Sequence, residues 1–263
     1  QDTLLIAETE TTPTIDGTAS DGAWKFVSWE KIDQIWMPYE NEPGNLSQES
    51  GLKLWDGEED FTGRFKVIWS PETNLLFFIV EVTDNVYTGG YVYNKNPNSG
   101  SGYPNYDIVE VFIDEDRSGG LHVFDGTGSV GNNWGTNAEN AFSYHLAANA
   151  PKEGEVQSQF HALDISGTSW GYPNQKIADY ASHFPEFAFK RDGSNYVWEF
   201  SLKVHNENYD YANPEASVAT LEEGKIMGLS LAYCDNDNPD ESPLRRDHFF
   251  GSVEVPAEAY NDH

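Results

Sequence analysis

Hydrophobic side chains recur at every second position through much of this chain, and that period suits strands rather than helices. Phe65, Val67 and Trp69 alternate with Arg64, Lys66 and Ile68. After the segment Ser70-Pro71-Glu72-Thr73-Asn74, Leu76, Phe78, Val80 and Val82 alternate with Phe77, Ile79 and Glu81. Two such runs across a Pro/Asn turn predict a β-hairpin, because successive strand side chains face opposite sides of a sheet. Residues 107–114 repeat the pattern, with Val109, Val111 and Ile113 on one face and Ile108, Glu110 and Phe112 on the other. Tyr196, Trp198, Phe200 and Leu202 share a face in 196–204, and further strands are expected at 141–147, 155–161, 187–190, 226–233 and 249–255. No helical stripe of comparable length competes. Pro214 and the β-branched residues around it limit 212–220 to a short helical turn.

Many short strands with turn-rich connections predict an all-β fold, an antiparallel β-sandwich with long loop insertions. The loops 39–63, 88–106, 125–137 and 166–182 are polar, yet they carry Trp55, Tyr91, Tyr93, Tyr103, Tyr106, Trp134, Trp170 and Tyr172. Long loops in a compact domain are usually functional or disordered, and rings in this number argue for function. With no internal repeat and no low-complexity linker, residues 1–263 are expected to form one domain and the protein to be a monomer. The formal charge is −29, from 44 acidic and 15 basic residues. Nucleic-acid binding needs clustered positive charge to displace counterions, so that partner is excluded, and the same charge argues against docking on anionic lipid. No apolar run reaches the roughly 18–20 residues that span a bilayer. Cys234 is the only cysteine, which excludes an intrachain disulfide. The chain opens at Gln1 with no basic-then-apolar leader. That start reads as a mature chain whose signal peptide is gone, so a secreted, periplasmic or cell-surface location is expected.

The segment Pro13-Thr14-Ile15-Asp16-Gly17, running on through Asp21-Gly22 to Trp24, places two turn formers between the candidate anchors Ile15 and Trp24. This "IDG…D..W" string is similar to the start of family 9 carbohydrate-binding modules. Other pieces resemble the same family in order: VIWSPETNLLFFIVEVTDN at 67–85, DIVEVFIDEDRSGG at 107–120, YVWEFSLKV at 196–204, GLSLAYCDNDNPDE at 228–241 and FFGSVEV at 249–255. The resemblance spans nearly the whole chain. It implies a β-sandwich, a non-catalytic role in secreted polysaccharide-degrading systems, a polysaccharide or oligosaccharide as partner, and bound calcium.

The resemblance also implies a sugar site. The family places a Trp just before the Asp-x-Val-Glu strand, the Glu of that strand, and a second Trp shortly before the final strand. Glu110 matches the Glu, and the first Trp position falls at Tyr103–Tyr106. The second falls at Leu244-Arg245-Arg246, where no aromatic residue stands. Sugar C–H faces stack on rings while carboxylates and guanidinium groups bond hydroxyls. By that chemistry the candidate set is Tyr103, Tyr106, Glu110, Trp134 and Arg245.

Two acidic groupings are candidate calcium ligands. Asp114, Asp116 and Ser118 stand at positions 1, 3 and 5 of a loop with Gly119 at 6 and Asp125 at 12, the spacing of a calcium-binding loop. Alternatively, Asp84, Asp107, Asp235 and Asp237 lie at strand ends and would converge at one edge of the sandwich. Converging carboxylates repel one another, and a divalent cation relieves that repulsion.

Two other readings remain open. A glycoside-cleaving enzyme needs two carboxylates about 5–10 Å apart in a groove, and 44 acidic residues supply too many pairs to choose from. A b-type haem electron carrier of related fold would use Met37 or Met227, the only two methionines. No metal-binding His spacing, no nucleophile elbow and no phosphate-binding glycine loop is present.

Overall fold

The computed structural model describes residues 3–37, 60–91, 105–117, 141–148, 156–162, 183–206, 208, 213–240, 242, 244 and 246–254. Their strands form two sheets. The first holds β1 (Ala7–Glu8), β2 (Glu30–Ile32), β4 (Phe61–Ser70), β5 (Leu75–Asp84), β9 (Phe187–Asp192) and β10 (Asn195–Leu202). The second holds β3 (Gln34–Met37), β6 (Ile108–Asp114), β7 (Ala141–Ala148), β8 (Val156–Ala162), β11 (Gly228–Asp235) and β12 (His248–Gly251). The first runs β1-β4-β5-β10-β9, with β2 also on β4, and the second runs β3-β12-β11-β6-β7-β8. Every pair is antiparallel except β1 with β4. The chain changes sheets at Asp33, between β2 and β3. Among the described residues no helix is long and apolar enough to cross a membrane.

The period-two faces meet as expected. Phe65, Val67, Phe78, Val80, Trp198 and Phe200 of the first sheet pack against Val109, Val111, Ile113, Leu231, Tyr233 and Phe250 of the second. Register builds this layer: Phe65 stands opposite Val80, Val80 opposite Trp198, and Trp198 opposite Phe189. Each such side chain withdrawn from water contributes about 1.5–3 kcal/mol. Trp69 is less buried than Phe65 and Val67, its companions on the same face. It lies near the end of β4, beside the two-residue strand β1, and packs only partly on the core.

The outer face of the first sheet is covered by the N-terminal segment, where Trp24 packs on Ile68, Leu75, Phe77 and Ile79, with Ile15 half-buried beside them. The fastening residue is Glu199 of β10. Its Oε2 accepts hydrogen bonds from the backbone N–H of Asp16 at 3.0 Å and Gly17 at 2.7 Å, and its Oε1 accepts from Trp24 Nε1 at 3.2 Å. Gly17 has φ +75°, a conformation that costs other residues more than glycine. Replacing Glu199 by Ala should lower stability by about 2–4 kcal/mol, because three donors lose their acceptor, two of them buried. Chemical denaturation of the two proteins checks this.

The outer face of the second sheet is also apolar. Trp36, Ile108, Phe112, Ala232, Cys234 and Phe249 form its floor, with Tyr91 buried and Tyr106 partly exposed beside it. Trp36 lies edge-on to Phe249 at 5.1 Å, and its Nε1 donates to the Val253 carbonyl at 2.8 Å. A side chain at Gly251 would sit 1.9 Å from the Trp36 ring, so glycine is what lets the indole lie against β12.

Candidate functional site

Glu110 occupies this second outer face, opposite the side of β6 that carries Val109 and Val111. It is only 4% exposed, where a strand carboxylate on an outer face would ordinarily be solvated. Its cross-strand partner on β7 is His145, whose Nε2 lies 3.3 Å from Glu110 Oε2. On the other side, Arg246 Nη1 donates to Cys234 Sγ at 3.2 Å, and that thiol donates to Glu110 Oε1 at 3.1 Å. The Arg246 guanidinium also stacks over Phe249, 4.3 Å from the ring centroid. Burial pushes the Glu110 carboxyl up, but the charge and hydrogen bond of His145, then Arg246 and the Cys234 thiol, outweigh it and hold the group at about 2. Burial, and after it the Glu110 charge, pushes the Cys234 thiol well up. The result is a fixed carboxylate and an unreactive thiol. Above them Asn105, Tyr106, Leu244 and Arg246 are partly exposed. Tyr106 leans edge-on against Tyr91 at 5.5 Å.

The second feature lies at one end of the sandwich, where β5 and β11 finish and β4, β6 and β12 begin. Antiparallel pairing brings Asp84, Asp107 and Asp235 together there, with one carboxylate oxygen of each within 4.8 Å of the others. All three residues are buried. Asp107 is held by two backbone donors, Thr88 N to Oδ2 at 2.6 Å and Asn236 N to Oδ1 at 2.9 Å. Val86 N donates to Asp84 Oδ1 at 2.8 Å. In contrast, among the described residues Asp84 Oδ2 and Asp235 Oδ1 are buried without a hydrogen-bond partner. Burial and then the neighbouring carboxylates, Asp235 foremost, push Asp84 up to about 9. Burial, followed by Asp84 and Asp235, drives Asp107 well above the usual range. Burial raises Asp235 too, although its hydrogen bond from His248 opposes this. An oxygen-only pocket with orphaned carboxylate atoms fits calcium, a hard cation that takes oxygen ligands.

The two features are joined. Asn236 Nδ2 donates to the Asn105 carbonyl at 2.7 Å, and the Arg246 backbone N–H donates to Asn105 Oδ1 at 3.1 Å. Asn105 and Asp107 flank Tyr106, so the acidic end of the sandwich holds the lip above Glu110.

Of the residues expected to form the sugar site, Tyr106 and Glu110 are thus placed on one face. Tyr103, Trp134 and Arg245 lie outside the described residues; among the described residues Arg246 reaches Glu110 through Cys234. Of the two acidic groupings, Asp84, Asp107 and Asp235 converge, and Asp237 lies beside Asp235 in a second group with Asp60 and His248. Asp114 and Asp116 sit at the far end of β6, about 20 Å away at the usual strand rise of some 3.3 Å per residue. There the flanking Glu115 pairs with Lys225. Their proposed companions Ser118 and Asp125 lie outside the described residues. Asp60, His145 and His248 were not singled out by sequence. Asp60 precedes β4 and His248 opens β12, the same strand-end placement as the other cluster members. Met227 packs against the central core.

A sequence-family model described as carbohydrate family 9 binding domain-like matches residues 15–263. No curated protein matches the chain significantly. Among solved structures, a family 9 carbohydrate-binding module from Caldicellulosiruptor kristjanssonii in complex with glucose aligns at a TM-score of 0.53 and 16% identity, covering 97% of this chain and 87% of that one. The cellotriose complex from the same organism aligns at a TM-score of 0.54 with the same identity and coverage. These likenesses show a shared fold. With the family match spanning almost the whole sequence, the chain belongs to the carbohydrate family 9 binding domain-like family.

Proposed function

We propose that this protein is a non-catalytic carbohydrate-binding domain of a secreted polysaccharide-degrading system, with structural calcium at Asp84, Asp107 and Asp235. The saccharide would lie on the lip formed by Asn105, Tyr106 and Arg246 beside Glu110. The observation that carries this reading is the ionised Glu110 at the family's strand-Glu position, fastened between His145 and Arg246. A sugar needs a ring to stack on and charged groups to bond its hydroxyls, and Tyr106 and Arg246 offer both at partial exposure. Glucose and cellotriose occupy the Caldicellulosiruptor modules, so gluco-oligosaccharides are the first ligands to try. Such lips bind at micromolar to millimolar strength, roughly 4–8 kcal/mol.

A glycan array probed with and without EDTA tests this, with product analysis of each bound saccharide. The expected result is retention of an oligosaccharide without release of shorter sugars. Turnover would replace this reading with a glycoside-cleaving one, and an array with no retained glycan would end it.

A further inference from the structure

Asp60, Asp235, Asp237 and His248 make a second group whose donor atoms all lie within 4.8 Å of one another. It shares only Asp235 with the oxygen pocket, and it differs in kind because it includes an imidazole. His248 Nδ1 lies 2.9 Å from Asp235 Oδ2 and 3.8 Å from Asp60 Oδ2. The ring is 1% exposed and packs against Phe250 at 5.7 Å, so its orientation is set by the core. Asp60 and Asp235 are 5% and 1% exposed, and among the described residues Asp60 Oδ2 and Asp235 Oδ1 are buried without a hydrogen-bond partner. Asp60 is steadied through its other oxygen, which accepts from Asn85 Nδ2 at 2.9 Å. Asp237 is positioned by its backbone N–H, which donates to Asp247 Oδ2 at 2.9 Å.

We infer that these four residues form a second divalent-cation position, separate from the calcium pocket and built for a first-row transition ion. Imidazole favours such ions, whereas calcium takes oxygen ligands. Sharing Asp235 sets the two cations side by side, as a bridging carboxylate does.

The test uses the full-length protein, stripped of metal and loaded with Mn2+ in the presence and absence of saturating Ca2+. Metal analysis should find one Mn2+ and one Ca2+ per chain, and pulsed electron paramagnetic resonance of the bound Mn2+ should show nitrogen coupling from one imidazole. His248→Gln should abolish that coupling and weaken Mn2+ binding by about tenfold or more, a loss of 1.4 kcal/mol at least. The same variant should keep the rise in melting temperature that Ca2+ produces. Mn2+ that is displaced one-for-one by Ca2+, that shows no nitrogen coupling, or that keeps its coupling in His248→Gln overturns the inference. Should that variant not fold, the parent's nitrogen coupling and its resistance to Ca2+ decide. None of these readings involves a saccharide, so a failed glycan screen leaves the result intact.

Discussion

Stripped of cations, this protein should be more stable at pH 5 than at pH 8, and added Ca2+ should narrow that difference. Asp84 stands at about 9 in the metal-free fold, pushed there by burial and by Asp235, against an ordinary value of 3.8. A raised carboxyl binds its proton more tightly folded than unfolded. Its stabilising effect is therefore complete below pH 3.8 and is lost as pH rises towards 9. Each pH unit crossed within that window removes up to about 1.4 kcal/mol for one such group. Asp107 is shifted in the same direction and adds to the slope. Calcium takes the place of the protons, so its stabilisation should grow with pH, reaching roughly 2.7 kcal/mol at a hundredfold excess over its dissociation constant. Melting curves at pH 5 and pH 8, in EDTA and in millimolar Ca2+, check this. Equal melting temperatures at both pH values in EDTA, or no response to Ca2+ at pH 8, would remove the cation from the account.

Much of this arrangement was legible in the sequence, and the reason is local. The β4–β5 hairpin, β6 and β10 follow a two-residue period that reports which side chains face the core. The same period places Glu110 on the side away from Val109 and Val111. Asp84, Asp107 and Asp235 stood out because each ends or precedes a clear strand. What was not legible depends on pairing between distant segments. β1, β2 and β3 have two to four residues each, too few to carry a period, and they exist because β4 and β12 offer edges to them. His145 and Arg246 become partners of Glu110 only once β7, β6 and the approach to β12 lie side by side. Asp60 and His248 are single residues 188 positions apart, and no spacing motif announces them. The fastening of Asp16, Gly17 and Trp24 by Glu199 joins segments more than 170 residues apart in the same way.

Glu110→Gln should weaken both the fold and the lip. The carboxyl lies at about 2 where 4.5 is ordinary, because His145 and then Arg246 and Cys234 overcome the cost of burial. A lowered carboxyl contributes stability that is complete above pH 4.5 and is lost as pH falls towards 2, worth about 3 kcal/mol for a shift of this size. The amide cannot supply that charge, and it leaves His145 beside a neutral group. Denaturation at pH 7 should therefore show a loss of about 3 kcal/mol, shrinking below pH 4. Saccharide affinity should fall at least tenfold, since Arg246 loses the charge that orients it over Phe249. Tyr106→Ala separates the two effects: its partly exposed ring contributes little to the core, so affinity should fall with little change in stability.

With a saccharide bound on the lip beside Glu110, an amide chemical-shift titration with cellotriose in the presence of Ca2+ should give saturable shifts concentrated at Asn105, Tyr106, Glu110 and Arg246, lost in Tyr106→Ala. Saturable shifts confined to other segments, with these four residues unmoved, would contradict this placement.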